Sequence, residues 1–180
     1  MRMNLWHDIP VGENFPETFN TIIEIPRDSN NKYEIDKTTG LISLDRANFS
    51  SAPYPFDYGF VPRTLWEDGD PLDVVVISTY PLHPGILVEV RPVGVMRMID
   101  EGESDYKILS VPVHDKRWDD VNDLKDINQH RLEEFKHFFL TYKVLNGRST
   151  SVDIDGIGDK AEAIEALSKS MDLYQDKFGK

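Results

Sequence analysis

Residues 68–77 restrict the fold of this chain more than any other part of it. An Asp-Gly step and Pro71 bend the backbone, and carboxylates stand in this bend at positions 68, 70 and 73. The chain then runs directly into residues 74–77, a β-branched apolar segment that is typical of a buried strand. We therefore expect a buried strand whose entrance carries a cluster of acids.

An acidic turn of this kind suits a hard cation, because Mg²⁺ takes oxygen ligands from a few carboxylates together with substrate phosphates. A calcium-binding EF-hand does not fit. Its loop needs glycine at the sixth position and glutamate at the twelfth, whereas Gly69 directly follows Asp68. Acidic turns before strands are also common as plain solvated turns, so a metal site needs partners elsewhere in the chain.

The composition excludes several classes of protein. Lys and Arg number 20 and Asp and Glu number 32, so the formal net charge is −12, which repels nucleic acid and anionic membranes. The chain has no cysteine, which excludes disulfides, thiolate metal sites and a thiol nucleophile. No segment has the pattern of a signal peptide or a membrane span. We expect a cytoplasmic protein that forms a single domain over residues 1–180.

Three short segments before the acidic turn predict a small barrel. Residues 21–25, 32–35 and 41–46 alternate as strands, and tight turns join them. Each strand carries charge on one face, with Glu24 on the first, Lys32 and Glu34 on the second and Arg46 on the third. Such strands fit a small barrel with a charged opening, although the charges would also suit an antiparallel sheet facing water.

A second acidic turn spans residues 100–105 and lies between segments that are typical of strands. Residues 86–90 and 92–99 predict two strands before it, and residues 106–111 predict one after it. The turn brings Asp100 and Asp105 close together, and Asp105 and Lys107 point to the same side. These acids are able to share a cation with the Asp68 turn, or to face water.

The remaining pattern is loop and helix. Residues 49–58 contain two prolines and predict a loop, in which Tyr54 and Tyr58 are either core rings or hydroxyl donors to a ligand. Residues 128–145 predict a helix whose apolar stripe includes Tyr142, which periodicity alone assigns to the core. A last helix begins after Asp159, with Glu162 at the spacing of a capping box.

The acids and cations together are what metal-assisted phosphoryl transfer to water requires. From about residue 23 to residue 158, the sequence resembles the soluble metal-dependent inorganic pyrophosphatases of the short prokaryotic type. The matching motifs are Ile23-Glu24-Ile25-Pro26, Lys32-Tyr33-Glu34-Ile35-Asp36, Asp45-Arg46, Tyr54-Pro55, Tyr58-Gly59, Asp68-Gly69-Asp70-Pro71-Leu72-Asp73-Val74, Arg91-Pro92-Val93-Gly94-Val95, Asp100-Glu101, Asp105, Lys107, His137-Phe138-Phe139 and Tyr142-Lys143.

The resemblance implies a role for each matching residue. Asp70 would be the general base that activates water for direct in-line attack, without a phosphoenzyme. The other implied roles are Mg²⁺ binding by Asp68, Asp73, Asp100, Asp105 and Glu34, substrate binding by Lys32, Arg46, Tyr58, Tyr142 and Lys143, and support by Glu24, Tyr54, Glu101 and Lys107. This assignment moves Tyr142 from the core to the site.

The resemblance also implies an α+β, mainly β fold with a five-stranded, OB-like closed barrel and flanking helices. It implies a homohexamer that hydrolyses pyrophosphate to two orthophosphates. Asp57 departs from the family pattern, which often has asparagine there, so an extra negative charge near the site is expected. The alternatives are a non-catalytic module that binds metal or nucleotide, and an enzyme for longer polyphosphates or nucleotides.

Overall fold

A computed structural model describes residues 3–147 and 151–179. These residues form nine strands and two α-helices, together with two single turns of 3₁₀ helix. The elements are β1 (Phe19–Ile25), β2 (Asn31–Ile35), β3 (Ile42–Ala47), β4 (Asp57–Phe60), β5 (Asp73–Val76), β6 (Leu87–Asp100), β7 (Glu103–Ser104), β8 (Lys107–Pro112), α1 (Gln129–Thr141), β9 (Val152–Gly158) and α2 (Lys160–Phe178). Among the described residues, no helix has the length and apolar character needed to cross a membrane.

Five strands form a closed ring. Their order is β1-β4-β5-β8-β6, and β6 pairs with β1 to close it. Only the β5–β8 pair of this ring is parallel. β7 and β9 pair with the C-terminal half of β6, while β2 and β3 form a separate hairpin. The ring and the two helices confirm the predicted fold class, a mainly β, OB-like barrel with flanking helices.

The two faces of the ring are both covered by apolar side chains, as β5 illustrates. Val75 joins a cluster with Leu132 and Phe135 of α1, whereas Val74 packs in a second cluster with Leu167 of α2. A strand buried on both faces has no polar alternation, which explains its continuous apolar sequence. The core therefore fixes β5 rigidly, and with it the acidic turn at the strand's entrance.

The prediction of a loop over residues 49–58 is wrong at its end, where β4 begins. β4 lies between β1 and β5 in the ring, and all four of its residues are buried. Gly59 is required there, because a Cβ atom would lie 1.9 Å from the carbonyl oxygen of Ile22 on β1. Glycine and the nearby prolines weaken the sequence signal of a strand, although here the glycine lets two strands approach closely.

Other predicted boundaries shift for identifiable reasons. The two strands expected over residues 86–99 are one strand, β6, which bends at a bulge between Pro92 and Gly94. A bulge accommodates proline, because it leaves a backbone position unpaired in the ladder. The helix expected over residues 128–145 ends at Thr141, and turns follow it to residue 147. Asp159 caps α2 as predicted, by accepting a hydrogen bond from the backbone N–H of Glu162.

Candidate active site

A cleft of about 450 Å³ lies at the mouth of the ring, between the β2–β3 hairpin, the Asp68 turn, the β6–β7 turn and the end of α1. Of the site residues predicted from sequence, all but Tyr54 line this pocket. Those that do are Glu24, Lys32, Glu34, Arg46, Tyr58, Asp68, Asp70, Asp73, Asp100, Glu101, Asp105, Lys107, Tyr142 and Lys143. Tyr54 is buried behind the pocket, with its ring 6.2 Å from that of Tyr58.

The Asp68 turn holds its acids through its own backbone. Gly69 has a φ of 88°, which only glycine adopts readily, and the N–H of Asp70 donates to the Asp68 carboxylate at 3.0 Å. The Trp66 N–H donates to the carbonyl oxygen of Asp70 at 2.7 Å. Burial, followed by the charges of Asp105 and Asp73, raises the pKa of Asp68 to about 6. Asp68 therefore gains from a nearby cation.

Lys107 stands between two of the predicted metal ligands. Parallel pairing of β5 and β8 places it opposite Asp73, whose carboxylate lies 2.5 Å from the ammonium, and Lys107 also pairs with Asp105. Lys107 is only 3% exposed. Burial alone would lower its pKa, but the Asp105 and Asp73 carboxylates outweigh burial and raise the pKa of Lys107. The lysine thus remains charged and compensates the two acids.

Tyr58 completes this group from β4. Its hydroxyl donates to the Asp73 carboxylate at 2.6 Å. Burial and the Asp73 charge raise the pKa of Tyr58 well above its ordinary value. The hydroxyl is therefore a proton donor at neutral pH, which fixes the orientation of Asp73.

The β6–β7 turn carries Asp100 and Glu101 over the pocket. Glu101 and Gly102 both have positive φ angles, of 52° and 89°, as in the two-residue turns that join tight hairpins. Glutamate is disfavoured in that conformation, so the turn holds local backbone strain. Asp100 pairs with Lys143 through one oxygen, while its other oxygen, Oδ1, is buried without a hydrogen-bond partner.

The β2–β3 hairpin supplies the cations on the opposite side. Lys32 contacts Glu34 at 2.8 Å and Asp45 at 3.1 Å, and Arg46 pairs with Asp45. Beneath the hairpin, Glu24 of β1 accepts a hydrogen bond from the Ile35 N–H at 2.7 Å. Burial and the charge of Asp73 raise the pKa of Glu24 well above its usual range.

Tyr142 belongs to both the core and the site. It follows the last residue of α1 and stacks on Phe138 at 5.5 Å, as periodicity predicts. It also lines the pocket, as the family resemblance implies. Burial raises its pKa, so its hydroxyl is a donor at neutral pH.

Among the six pocket residues that sequence reasoning did not assign, the charged one is Lys37, whose ammonium pairs with Asp70 across the pocket mouth. Lys37 lies in the turn of the β2–β3 hairpin, where no periodicity indicates the direction of a side chain. The available signal is its place directly after residues 32–36, where Lys32 and Glu34 are predicted to lie at the barrel opening.

The expectation that Asp57 adds charge near the site is wrong, since Asp57 does not line the pocket. It is fully buried, and its carboxylate accepts hydrogen bonds from the backbone N–H groups of Arg27 at 2.9 Å and Leu82 at 2.8 Å. The Ser78 hydroxyl is its third partner. Asp57 therefore joins two loops to β4 and has no contact with the predicted ligands.

The described pocket residues carry a formal excess of three negative charges. Eight are carboxylates and five are cations, and each cation pairs with a carboxylate. Within residues 3–147 and 151–179, no three acidic or histidine side chains already converge on a common point as metal ligands. The oxygen donors and the unpartnered Oδ1 of Asp100 nevertheless fit a hard cation, which would offset the excess charge.

Comparison with known proteins gives a consistent result. The sequence model of the inorganic pyrophosphatase family matches residues 21–175. The inorganic pyrophosphatase of Haloferax volcanii is 43% identical over 98% of this chain and 99% of its own length, and soluble inorganic pyrophosphatase 1 of Arabidopsis thaliana is 45% identical over 95% of this chain and 80% of its own. The crystal structure of inorganic pyrophosphatase from Thermus thermophilus superposes with a TM-score of 0.92 at 44% identity, covering 96% of this chain and 99% of that one.

Proposed function

This chain belongs to the inorganic pyrophosphatase family, and on that premise we propose that the pocket at the ring mouth is its active site, with Asp70 as the general base. The activity of the protein is metal-dependent hydrolysis of pyrophosphate to two orthophosphates. The observation that carries the site assignment is the convergence of carboxylates, cations and tyrosine hydroxyls in one cleft.

The carboxylates would hold Mg²⁺. Asp68, Asp73 and Asp105 would bind the first ion, and Asp100 and Glu34 would take part in holding ions that arrive with the substrate. When bound, such ions would neutralise phosphate charge and lower the pKa of a bound water. Magnesium is the proposed metal, because an all-oxygen set together with substrate phosphates is the environment it prefers.

Asp70 is suited to take a proton from the attacking water. Its side chain is 50% exposed toward the pocket, and its backbone is held in the Asp68 turn. Asp73 and Asp105 pair with the buried Lys107, whereas half of the Asp70 side chain stays exposed to solvent. A positioned carboxylate of this kind contributes about 10²–10⁴-fold to the rate of a proton-transfer step.

The cations and tyrosines would bind the phosphates. Lys32 and Arg46 approach from the hairpin, and Tyr142 and Lys143 approach from the end of α1. Tyr58 is already engaged with Asp73, so it would orient that ligand as well as face the substrate. Since the leaving group is itself a phosphate, these donors would stabilise the charge that develops on it. Attack by water is direct, with no phosphorylated side chain.

The test is phosphate release from pyrophosphate by the purified protein, with and without Mg²⁺. Asp70→Asn should lower kcat by about two to four orders of magnitude, because the proton acceptor is lost. Stabilisation by Mg²⁺ in thermal unfolding should persist, since the ion ligands remain. Asp120→Asn, an exposed change outside the pocket, is the matched control. Near wild-type turnover by the Asp70 variant would refute the base assignment, and binding of pyrophosphate without release would favour the non-catalytic module.

The homohexamer, the cytoplasmic location and the single domain over residues 1–180 are also proposals. Exposed apolar side chains near the end of α1 support self-association: Leu140 is 38% exposed, Val144 64% and Leu145 66%. Such side chains suit a subunit contact.

A further inference from the structure

Lys37 reaches across the mouth of the pocket to Asp70. It lies in a hairpin turn that its own backbone closes: the Gly40 N–H donates to the Asp36 carbonyl at 2.7 Å, and the Thr39 N–H donates to the Asp36 carboxylate at 2.6 Å. The pair therefore joins two separate elements, the β2–β3 hairpin and the Asp68 turn. It is the only contact of the predicted base with a cation among the ion pairs of the described residues.

Exposure distinguishes this pair from the other ion pairs in the pocket. The side chain of Lys37 is 53% exposed, compared with 4% for Lys107, 19% for Lys143, 26% for Arg46 and 28% for Lys32. Water screens an exposed pair and competes for both partners, so such a pair contributes little free energy. Lys37 is thus the pocket cation that changes partner at the smallest cost.

The contact also competes with the proposed chemistry of Asp70, because a paired carboxylate is a weaker base. A general base needs a carboxylate oxygen within hydrogen-bond reach of the proton that it accepts. The ammonium of Lys37 lies on one of the two oxygens of Asp70. When pyrophosphate enters, its oxygens offer the ammonium a partner of higher charge in the same pocket.

We propose that Lys37 is a further substrate-binding residue, an inference that rests on the proposed function of this pocket. Its ammonium pairs with Asp70 in the substrate-free enzyme and moves to a phosphate oxygen of pyrophosphate when the substrate binds. The transfer frees the Asp70 carboxylate for the water proton. Binding of the substrate and exposure of the base are then coupled through one lysine. No covalent bond of the protein forms or breaks in this exchange.

The test compares Lys37→Gln with Lys125→Gln. Both remove one positive charge, and Lys125 is exposed and outside the pocket. The probe is methylenediphosphonate with Mg²⁺, an analogue whose P–C–P bridge is not hydrolysed, titrated by calorimetry. Lys37→Gln should bind it about tenfold more weakly, as expected for loss of one charge-assisted hydrogen bond, and Lys37→Arg should recover much of the affinity. Lys125→Gln should bind as wild type does.

Steady-state kinetics supply a second signature. For Lys37→Gln, KM should rise about tenfold while kcat stays within about twofold, because the lost contact serves ground and transition states alike. Asp70→Asn should tighten analogue binding, since Lys37 then has no partner to leave. Part of that gain in affinity comes from lower repulsion of the anion and does not depend on Lys37, whereas the rest requires it. The gain should therefore be at least about threefold smaller when Lys37→Gln is already present, as a double-mutant cycle measures.

Three outcomes would overturn the proposal. In the first, Lys37→Gln binds the analogue within about twofold of wild type. In the second, kcat falls while KM and the affinity for the analogue stay unchanged, which would mean that Lys37 acts on Asp70 throughout. In the third, the gain from Asp70→Asn is the same with and without Lys37. Absence of phosphate release by the wild-type protein would instead refute the function, so the two failures are distinct.

Discussion

Replacing Lys107 with methionine should destabilise the metal-free protein strongly. Lys107 is 3% exposed, and its ammonium compensates two carboxylates, those of Asp73 and Asp105. Methionine keeps the length of the apolar stem, so the packing changes little while the charge disappears. Both acids then remain in the pocket wall without their cation.

The magnitude follows from this geometry. Removing one partner of a buried ion pair costs about 3–5 kcal/mol, which in a protein of this size lowers Tm by roughly 6–20 °C. Lys107 has a raised pKa, so its contribution is fully present below the ordinary lysine pKa and is lost as pH rises through the folded value. At neutral pH the variant therefore loses the whole contribution.

The pH dependence of the loss has a definite sign. Without the ammonium, burial and the charge of Asp105 raise the pKa of Asp73 further above its value in the unfolded chain. The loss should be smallest near pH 4, where Asp73 accepts a proton, and should grow as pH rises toward 8. Saturating Mg²⁺ should narrow the gap from wild type, because the cation restores positive charge between the acids.

The assay is urea unfolding of both proteins at several pH values, with EDTA or with Mg²⁺. Lys169→Met is the matched control, since it removes an ion pair with Glu67 in which the lysine is 51% exposed, and its effect should stay near 1 kcal/mol or less. A metal-free Lys107→Met protein within about 1 kcal/mol of wild type would refute this reasoning. So would a gap that Mg²⁺ leaves unchanged.

Three further predictions concern the metal site, Asp57 and assembly. Burial raises the pKa of Asp68 to about 6, so its carboxyl is protonated below that pH and holds a cation less well. The gain in Tm from Mg²⁺ should therefore fall as pH is lowered from 7.5 to 5, measured by calorimetry against Ca²⁺-free, EDTA-treated samples. Asp57→Asn should leave kcat/KM unchanged and leave the free energy of unfolding equal or higher by up to about 1 kcal/mol. The Ser78 hydroxyl has one proton for two acceptors, Asp57 and the Tyr80 carbonyl, and an amide at position 57 would donate to Ser78 instead. A lower free energy of unfolding in urea would contradict this. Light scattering at micromolar concentration should give the mass of a hexamer, and a monomeric mass would refute that assembly.

Much of the fold follows from periodicity, and the exceptions have local causes. The alternating segments became β1, β2 and β3, and the apolar run after Asp73 became β5. β4 was not predicted, because Gly59 and the prolines before it weaken the sequence signal of a strand. The glycine is required by the close approach to Ile22, and that contact exists only after β1 and β4 pair. β6 was divided at Pro92 because a bulge depends on the partner strand.

Most residues that line the pocket were also predicted from the sequence, while their roles stay predictions. Its acids stand at strand ends and in turns, where residue type and position indicate chemistry, and the family motifs add their roles. Lys37 was missed because a turn residue has no periodicity, and its contact with Asp70 joins elements that are far apart in the chain. The position of Asp57 could not be inferred because it depends on which face of β4 meets the loops that contain Arg27 and Leu82.

The pairing of β1 with β6 has a consequence for biosynthesis. Phe19 lies opposite Val90, and the pocket draws on residues from Glu24 to Asn146. A nascent chain on the ribosome therefore cannot assemble the pocket until most of its length has emerged, and contacts this distant in sequence form slowly. Enzymatic activity should consequently return last when the denatured protein is diluted into buffer, in step with closure of the ring rather than with formation of the individual hairpins.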